Sequence, residues 1–541
     1  MSYFTTRKQF LTPSFDLSEE DEQILTKFFI FLDKSGVGKI IQSCTKNETA
    51  KGGRPNVNYY NLFAAVVFGF AFGRDTLRDL EDACGHDTRF ISIMEQIRPK
   101  YNTICNYINK VIVPNEKQIF KLLVSQIIKE LDLKLEDAFV DGSKFEANAN
   151  KYIFVWKPTT FHMRISKTFF SILKENNLCV SYRNEELVKS KTVGDALKEL
   201  ESVKDRYDKK IYKNLHKALY SILIKVIDYE EKEKICGPNR NSYYKTDHDA
   251  TAMALKADYY SGLGTNMHAA YNTQIIVVKG IICGYYTSQS RSDYYDFIAI
   301  IEAFYYNFDV YPSNICADAG YGSLQNYLYL EKHNIGNYVK YQTWEGNSSG
   351  SYPECYKLNN DNETITCLNG LIGRIVEIEN RHPKKANAKF FKVVGCENCL
   401  YKSYCWRFTK NQNGNEKVFE VVIDLLRLKQ QAENNLLSPK GIEMRINRSI
   451  QVEGAFGNEK QNRGYTRSRR RGIEKVSTEM MLVVLGLNIK KLFNYYKTKK
   501  LPDYWNAPEG LETQQFKKPS AKKLSKKGRR INMQTYKIEQ A

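Results

Sequence analysis

Three acidic side chains far apart in the chain, Asp141, Asp318 and Glu453, stand where carboxylates can do metal-assisted chemistry. Asp141 follows the apolar run Ala138-Phe139-Val140, which reads as a strand ending at the acid, and Asp318 follows a second such run, 313–317. Aspartates at the ends of neighbouring strands can share a cation, and Glu453, on a helix predicted from near Met444, is placed to close the site from across the sheet edge. Phosphoryl transfer needs an activated oxygen, a stabilised leaving oxygen and in-line geometry. Two hard cations about 4 Å apart supply all three and take oxygen ligands. Any one of these acids alone is weak evidence, since a strand-end Asp most often caps a turn and a helical Glu is most often solvated.

On the predicted helix, Glu453, Gly457 and Lys460 are spaced i, i+4, i+7 and share one face, while Val452, Ala455 and Phe456 point to the other. Gly454 and Gly457 each weaken a helix by roughly 1 kcal/mol. Their missing side chains would let a phosphate backbone approach closely. A dense basic run follows, Arg463, Arg467, Arg469, Arg470 and Arg471, for which phosphate binding is favoured over a merely solvated face. Asp247, Asp249 and Asp293 are further acids, read as structural or supporting, and His268 as an ordinary hydrogen-bonding residue.

The bulk composition points the same way. The chain has 541 residues, 42% hydrophobic, with a formal net charge of +20. That length implies two to four domains, and the surplus of Lys and Arg favours a polyanion whose counterions are released on binding. The best apolar run, Leu62 to Phe72, is far short of the roughly 20 residues of a membrane span. With no apolar signal core at the N-terminus, a cytoplasmic protein is expected. Twelve Cys in such a chain argue for thiols or metal ligands rather than disulfides. Cys396, Cys399 and Cys405 in CENCLYKSYC, with Cys367 upstream, can provide four thiolates for a tetrahedral zinc ion.

The elements that must position these groups fall into five stretches. Residues 1–134 read as helices with polar turns, opening on a Ser18/Asp21 capping pattern and including an apolar helix from about Tyr59 to Phe72, as suits an all-α DNA-binding domain of helix-turn-helix type. Residues 135–341 read as strand, hairpin around Lys279-Gly280, helix, strand, helix, strand, with a charged helical insertion at about 180–236. Residues 342–440 look irregular and carry the cysteines, 441–500 return to helices with Glu453, and 501–541 form a basic tail expected to be disordered. This order predicts an α/β ribonuclease H-like core with an all-α N-terminal domain and an irregular insertion.

Four segments, VDGSKFEANANKYIFVW (140–156), GPNRNSYYKTDHDATAM (237–253), ADAGYGS (317–323) and QVEGAFGNEKQNRGYTR (451–467), resemble the DDE transposases of bacterial insertion sequences, in the branch with a long N-terminal helical domain and a cysteine-bearing insertion. GRPNVNYYNLFAAVVFGFAFG (53–73) and PKYNTICNYI (99–108) are similar to that family's N-terminal domain, so the likeness spans nearly the whole chain. The resemblance implies that Asp141, Asp318 and Glu453 are the catalytic acids, holding two Mg²⁺ or Mn²⁺ ions, and that Lys460 and Arg448 contact DNA. The clan's signature runs Tyr, Arg, Glu, Lys. Lys460 has its spacing from Glu453, whereas Arg448 stands one residue too far upstream and Ile446 takes the Tyr position. The resemblance further implies a nucleoid-associated enzyme that binds the terminal inverted repeats of its element in double-stranded DNA, cleaves there and joins the ends to target DNA as a homodimer or larger assembly. A catalytically silent DNA-binding relic and a ribonuclease H-like nuclease are the competing expectations.

Overall fold

The computed structural model describes residues 17–44, 57–178, 187–238, 240–255, 267–377, 388–409, 414–517, 520–521 and 523–524. The turn KGGRPN, at 51–56, and the part of the expected 501–541 tail beyond 524 lie outside them, whereas 501–517, expected to be disordered, packs on the body through the Asn447–Trp505 hydrogen bonds and the Trp344–Phe516 ring contact.

The N-terminal region is helical: α1 (Glu19–Ser35), α2 (Val37–Ser43), α3 (Tyr59–Ala71), α4 (Leu77–His86), α5 (Thr88–Ile93), α6 (Tyr101–Tyr107) and α7 (Val113–Glu130). Local chemistry starts several of these helices. The Ser18 hydroxyl accepts from the Asp21 amide and the Asn58 side chain accepts from Tyr60 and Asn61, satisfying amides that a helix start leaves unpaired. Every residue of α3 from Asn61 to Ala71 is buried, so this helix runs through the core.

A six-stranded sheet follows: β1 (Asp137–Glu146), β4 (Thr251–Ala254), β5 (Met267–Val278), β6 (Ile281–Ser288), β7 (Asn314–Ala317) and β8 (Gly336–Val339), with the short β2 (Phe154–Trp156) and β3 (Ser242–Tyr244) paired separately. β5 is antiparallel to β1, β4 and β6, whereas β7 runs parallel to both β1 and β8. The β5–β6 turn is at Lys279-Gly280 as expected, both with positive φ, the backbone that suits the twist of a two-residue hairpin. Helices α8 (Thr159–Glu175), α9 (Ser190–Ser202) and α10 (Lys209–Cys236) form the insertion with a small core of their own, and it begins earlier than the 180 expected. α11 (Phe297–Phe308) and α12 (Leu324–Lys332) connect the later strands.

The stretch 342–440 is not irregular. It holds an antiparallel meander in order, β9 (Tyr356–Leu358), β10 (Thr364–Cys367), β11 (Ile372–Val376), β12 (Lys389–Val394) and β13 (Glu416–Val421), over its own apolar cluster of Ile365, Phe391, Val393, Trp406 and Phe419. The strands are short, and apolar residues also stand on their exposed face, Ile372, Ile375, Val394 and Val418, which blurs the two-residue period. α13 (Ile423–Leu437) then returns to the main body, where Arg427 makes a two-pronged ion pair with Glu331 at 2.6 and 3.0 Å.

α14 (Pro439–Arg448) leads to the Glu453 region, and α15 (Ile473–Thr498) closes the fold. One continuous apolar core joins the N-terminal helices, the six-stranded sheet and α15. Asn488 on α15 donates to the Ile282 carbonyl at 2.8 Å and accepts its amide at 2.9 Å, covering edge strand β6. Glu116 of α7 accepts from Tyr285, Ser477 and Thr478, tying helix, sheet and α15 together. Where α15 crosses α3, a Cβ on Gly486 would lie 2.5 Å from the Phe70 carbonyl oxygen, a backbone atom that cannot swing away. Gly486→Val is expected to destabilise the fold by about 1–3 kcal/mol or more, as overpacking does. A thermal melt of the purified variant checks this, and an unchanged midpoint would show that the helices can separate freely.

Candidate active site

β7 stops at Ala317, which lies beside Val140 in the parallel register, so Asp318 is the first residue beyond its strand and is level with Asp141. Adjacent strands are about 4.8 Å apart. Asp141 itself does not end its strand as the sequence predicts; β1 continues to Glu146 because β5 pairs with it across its far half. The two aspartates therefore meet where the parallel partner ends.

Glu453 arrives from the opposite side. A single long helix was expected there, but α14 ends at Arg448 and the chain widens into π-helical turns at Ser449–Glu453 and Asn458–Asn462, around a short α-turn at Gly454–Gly457. π-turns re-aim side chains and are frequent at functional sites. They also break the simple helical-face argument linking Glu453 to Lys460. A Cβ at Gly454 or Gly457 would meet nothing within 4 Å, so both open outward.

Arg448 joins the acids. Its guanidinium lies 3.3 Å from the Asp141 carboxylate and 3.4 Å from that of Glu453, whose other oxygen accepts from Ser449 at 2.9 Å. Burial opposes its charge, but Asp141, Asp318 and Glu453 together hold its pKa above the usual value. The sequence marked Arg448 for DNA; here it neutralises the acidic cluster. Among the described residues, no group of three or more His, Cys, Asp or Glu is already arranged to hold a metal ion.

Support around the acids was less legible. A Cβ at Gly142 would lie 2.4 Å from the Gln274 amide, so glycine beside Asp141 is what lets Gln274 pack there. Gln274 in turn donates to Asp293 at 3.0 Å and bonds the buried Tyr321, and Asn272 donates to the same Asp293 oxygen at 2.7 Å. The other Asp293 oxygen would lie 3.7 Å from a Cβ on Gly320, so this acid sits beside the Asp318 loop. Asp247 accepts from Tyr271 and the Gly472 amide, and Asp249 accepts the Ile473 amide at the start of α15; both brace the fold. His268 stands 3.8 Å from Glu146.

The basic residues divide. Lys460 donates to the Lys144 carbonyl at 2.6 Å and lies over the Phe145 ring. Arg463 donates to the Phe70 and Ala71 carbonyls at the end of α3, Arg469 pairs with Asp75 at 2.8 Å, and Arg470 reaches Asn109. Arg467 and Arg471 line an open cleft with Lys151 and Asn148.

Cys367, Cys396, Cys399 and Cys405 surround one small cavity together with Cys355, which sequence spacing alone did not single out. Cys355 reaches it because β9 and β10 pair there, with the Leu368 amide donating to the Cys355 carbonyl. A hydrogen bond from Cys405, opposed by burial and aided by Arg407, lowers the Cys355 thiol to about 6, and Cys405 is raised correspondingly.

A mixed α/β chain whose sheet, helical end and guanidinium gather three acids defines a candidate for metal-dependent chemistry. Residues 366–493 match the family model described as a transposase DDE domain, a stretch that includes Glu453 and Arg448 but neither aspartate. That match supports a DDE transposase and an enzyme acting on DNA. Comparisons with curated proteins and with solved structures give no match. Among the described residues, no helix is long and apolar enough to cross a membrane.

Proposed function

We propose that the protein is the transposase of a bacterial insertion sequence, cleaving DNA at the terminal inverted repeats of its element and transferring the freed strands into target DNA. The observation that carries this reading is Arg448, which bridges Asp141 and Glu453 and lies in the field of Asp318, within a chain whose later part matches a transposase DDE domain. Asp141, Asp318 and Glu453 are the residues that would hold two Mg²⁺ or Mn²⁺ ions, and their all-oxygen donor set fits such hard cations. When bound, the ions supply charge stabilisation and an activated oxygen nucleophile. The three antiparallel strands β6, β5 and β1 continued by parallel β7 and β8 support a ribonuclease H-like core spanning 135–341 and 441–500, with 1–134 as the DNA-binding domain. Two ends must be joined together, so a homodimer or larger assembly on double-stranded DNA, in the cytoplasm at the nucleoid, goes with this reading.

Arg467 and Arg471, which line the open cleft, are the proposed DNA contacts of the basic run, whereas Lys460, Arg448, Arg463, Arg469 and Arg470, also expected to contact DNA, are engaged by the protein's own carbonyls, carboxylates and amides. The test incubates the protein with Mg²⁺ and DNA carrying the flanking repeats. Nicking at the repeat ends followed by strand joining is expected. Binding without cleavage would leave a silent DNA binder, and cleavage of RNA–DNA hybrid alone would make it a nuclease; either result overturns the proposal.

The thiol cavity is proposed as a structural zinc site with four ligands among Cys367, Cys396, Cys399, Cys405 and Cys355. Protein purified without chelator is expected to carry one zinc per chain by elemental analysis, and stripping it should loosen the meander, because ligand binding is coupled to folding in such sites. Absence of zinc in freshly purified protein would refute the site.

A further inference from the structure

Just beyond Glu146, a short stretch of chain exposes four aromatic side chains to solvent. Tyr152 is 79% exposed, Phe154 43%, Trp156 62% and Phe161 59%. Phe154 and Trp156 alternate with Val155 on β2 and so share one face, their rings 5.3 Å apart. Soluble proteins rarely expose such a patch without a partner.

The surroundings say which partner. Lys151 lies over the Tyr152 ring at 5.3 Å and Arg164 over the Phe161 ring at 5.9 Å. The adjoining cleft is lined by Lys151, Arg467 and Arg471, with Glu146 as its one acid. Arg467 and Arg471 donate to the Ala149 and Asn148 carbonyls and Lys157 to the Gly237 carbonyl, and among the described residues no carboxylate pairs with these three cations. Exposed rings beside a basic groove are what unpaired nucleotides require: phosphates follow the cations while bases stack on the rings. Blunt duplex offers no free base faces to such rings. The strand that carries Asp141 leads directly there, Glu146 lying about 17 Å along it.

We propose that Tyr152, Phe154, Trp156 and Phe161 form a stacking platform for unpaired bases of DNA, flanked by the Lys151–Arg467–Arg471 cleft. The platform deepens the transposase reading and rests on DNA being the substrate. It would hold a strand end once its bases leave the duplex.

Trp156 makes the test direct, because it is the most exposed of the four tryptophans: Trp344 and Trp406 are buried and Trp505 is half-buried. The full-length protein is titrated with a single-stranded oligonucleotide, a duplex with an unpaired overhang and a blunt duplex, without divalent ions so that nothing is cleaved. The unpaired substrates should quench tryptophan emission and the blunt duplex should not. Trp156→Ala should weaken binding of the unpaired substrates roughly tenfold and abolish the quench, with blunt-duplex affinity unchanged. Trp156→Phe, which keeps a ring, should retain most of the affinity. Equal loss on all three substrates, or no loss on any, overturns the platform. A change of oligomeric state in Trp156→Ala with affinity intact would assign the patch to a second copy and overturn it too. If the wild-type protein binds no DNA of any kind, the transposase reading falls as well, whereas selective survival of the unpaired mode in Trp156→Ala overturns the platform alone.

Discussion

Asp141→Asn, Asp318→Asn and Glu453→Gln each lower strand cleavage by about a thousandfold or more, while binding to repeat-end DNA stays within a few-fold of wild type. The size follows from the proposed chemistry: each change removes a charged oxygen from the set that would hold two cations, and metal assistance supplies several kcal/mol of transition-state stabilisation, with each 1.36 kcal/mol a factor of ten in rate. The three variants should be alike, because Asp141 and Asp318 stand level on neighbouring strands and Arg448 links Asp141 to Glu453. Binding should hold because the basic cleft at Arg467 and Arg471 is built from other parts of the chain. Gel assays of cleavage and of mobility on the same substrate read both quantities. A variant that cleaves within tenfold of wild type removes its residue from the catalytic set. One that loses binding and cleavage together points instead to a structural role.

Arg448→Met should act on stability with a sign that depends on the cation. The side chain is only 11% exposed, and its guanidinium faces carboxylates on two elements. Removing it leaves Asp141, Asp318 and Glu453 to repel one another. Breaking a buried pair costs several kcal/mol, but the exposed Glu453 is screened, so a loss of about 1–2 kcal/mol is expected without divalent ions. A bound cation replaces the missing charge, so Mg²⁺ or Mn²⁺ should restore the melting midpoint and bind more tightly than to wild type. The added change Asp141→Asn should relieve the metal-free destabilisation by removing the repulsion at its source. Calorimetric melts with and without Mn²⁺, together with Mn²⁺ titration by electron paramagnetic resonance, decide it. Equal destabilisation with and without metal, or weaker Mn²⁺ binding, would show that Arg448 does not balance the acids.

Much of the secondary structure was legible because it is set locally. Ser18 caps a helix where its side chain predicted a start, Lys279-Gly280 forms its turn, and the apolar runs in α3 and α15 are buried helices. The meander at 356–421 was missed although β12 and β13 alternate inward and outward residues; the strands are short, and apolar residues on their outer face, such as Val394 and Val418, blur the period. The helix break at Glu453 was missed because local propensity cannot distinguish an α-turn from a π-turn, and the widening accompanies contacts such as Gln451 to the Gly280 amide. The arginine run read as one phosphate-binding feature. The fold instead sends Arg463 to the end of α3 and Arg469 to Asp75, positions 392 or more residues upstream in the chain.

By itself the sequence determined which residues have the chemistry for the work: three acids, a basic surplus and clustered thiols, together with the local elements that carry them. Those depend on side-chain type and on contacts within a few residues. Only the tertiary structure decided that Asp318 lies level with Asp141, that Arg448 lies between Asp141 and Glu453, that Cys355 joins the other thiols, and which arginines remain open to a partner. Each of these depends on strand register or on chain segments many tens to hundreds of residues apart, and register is fixed by the collective burial of a shared core rather than by any local pattern.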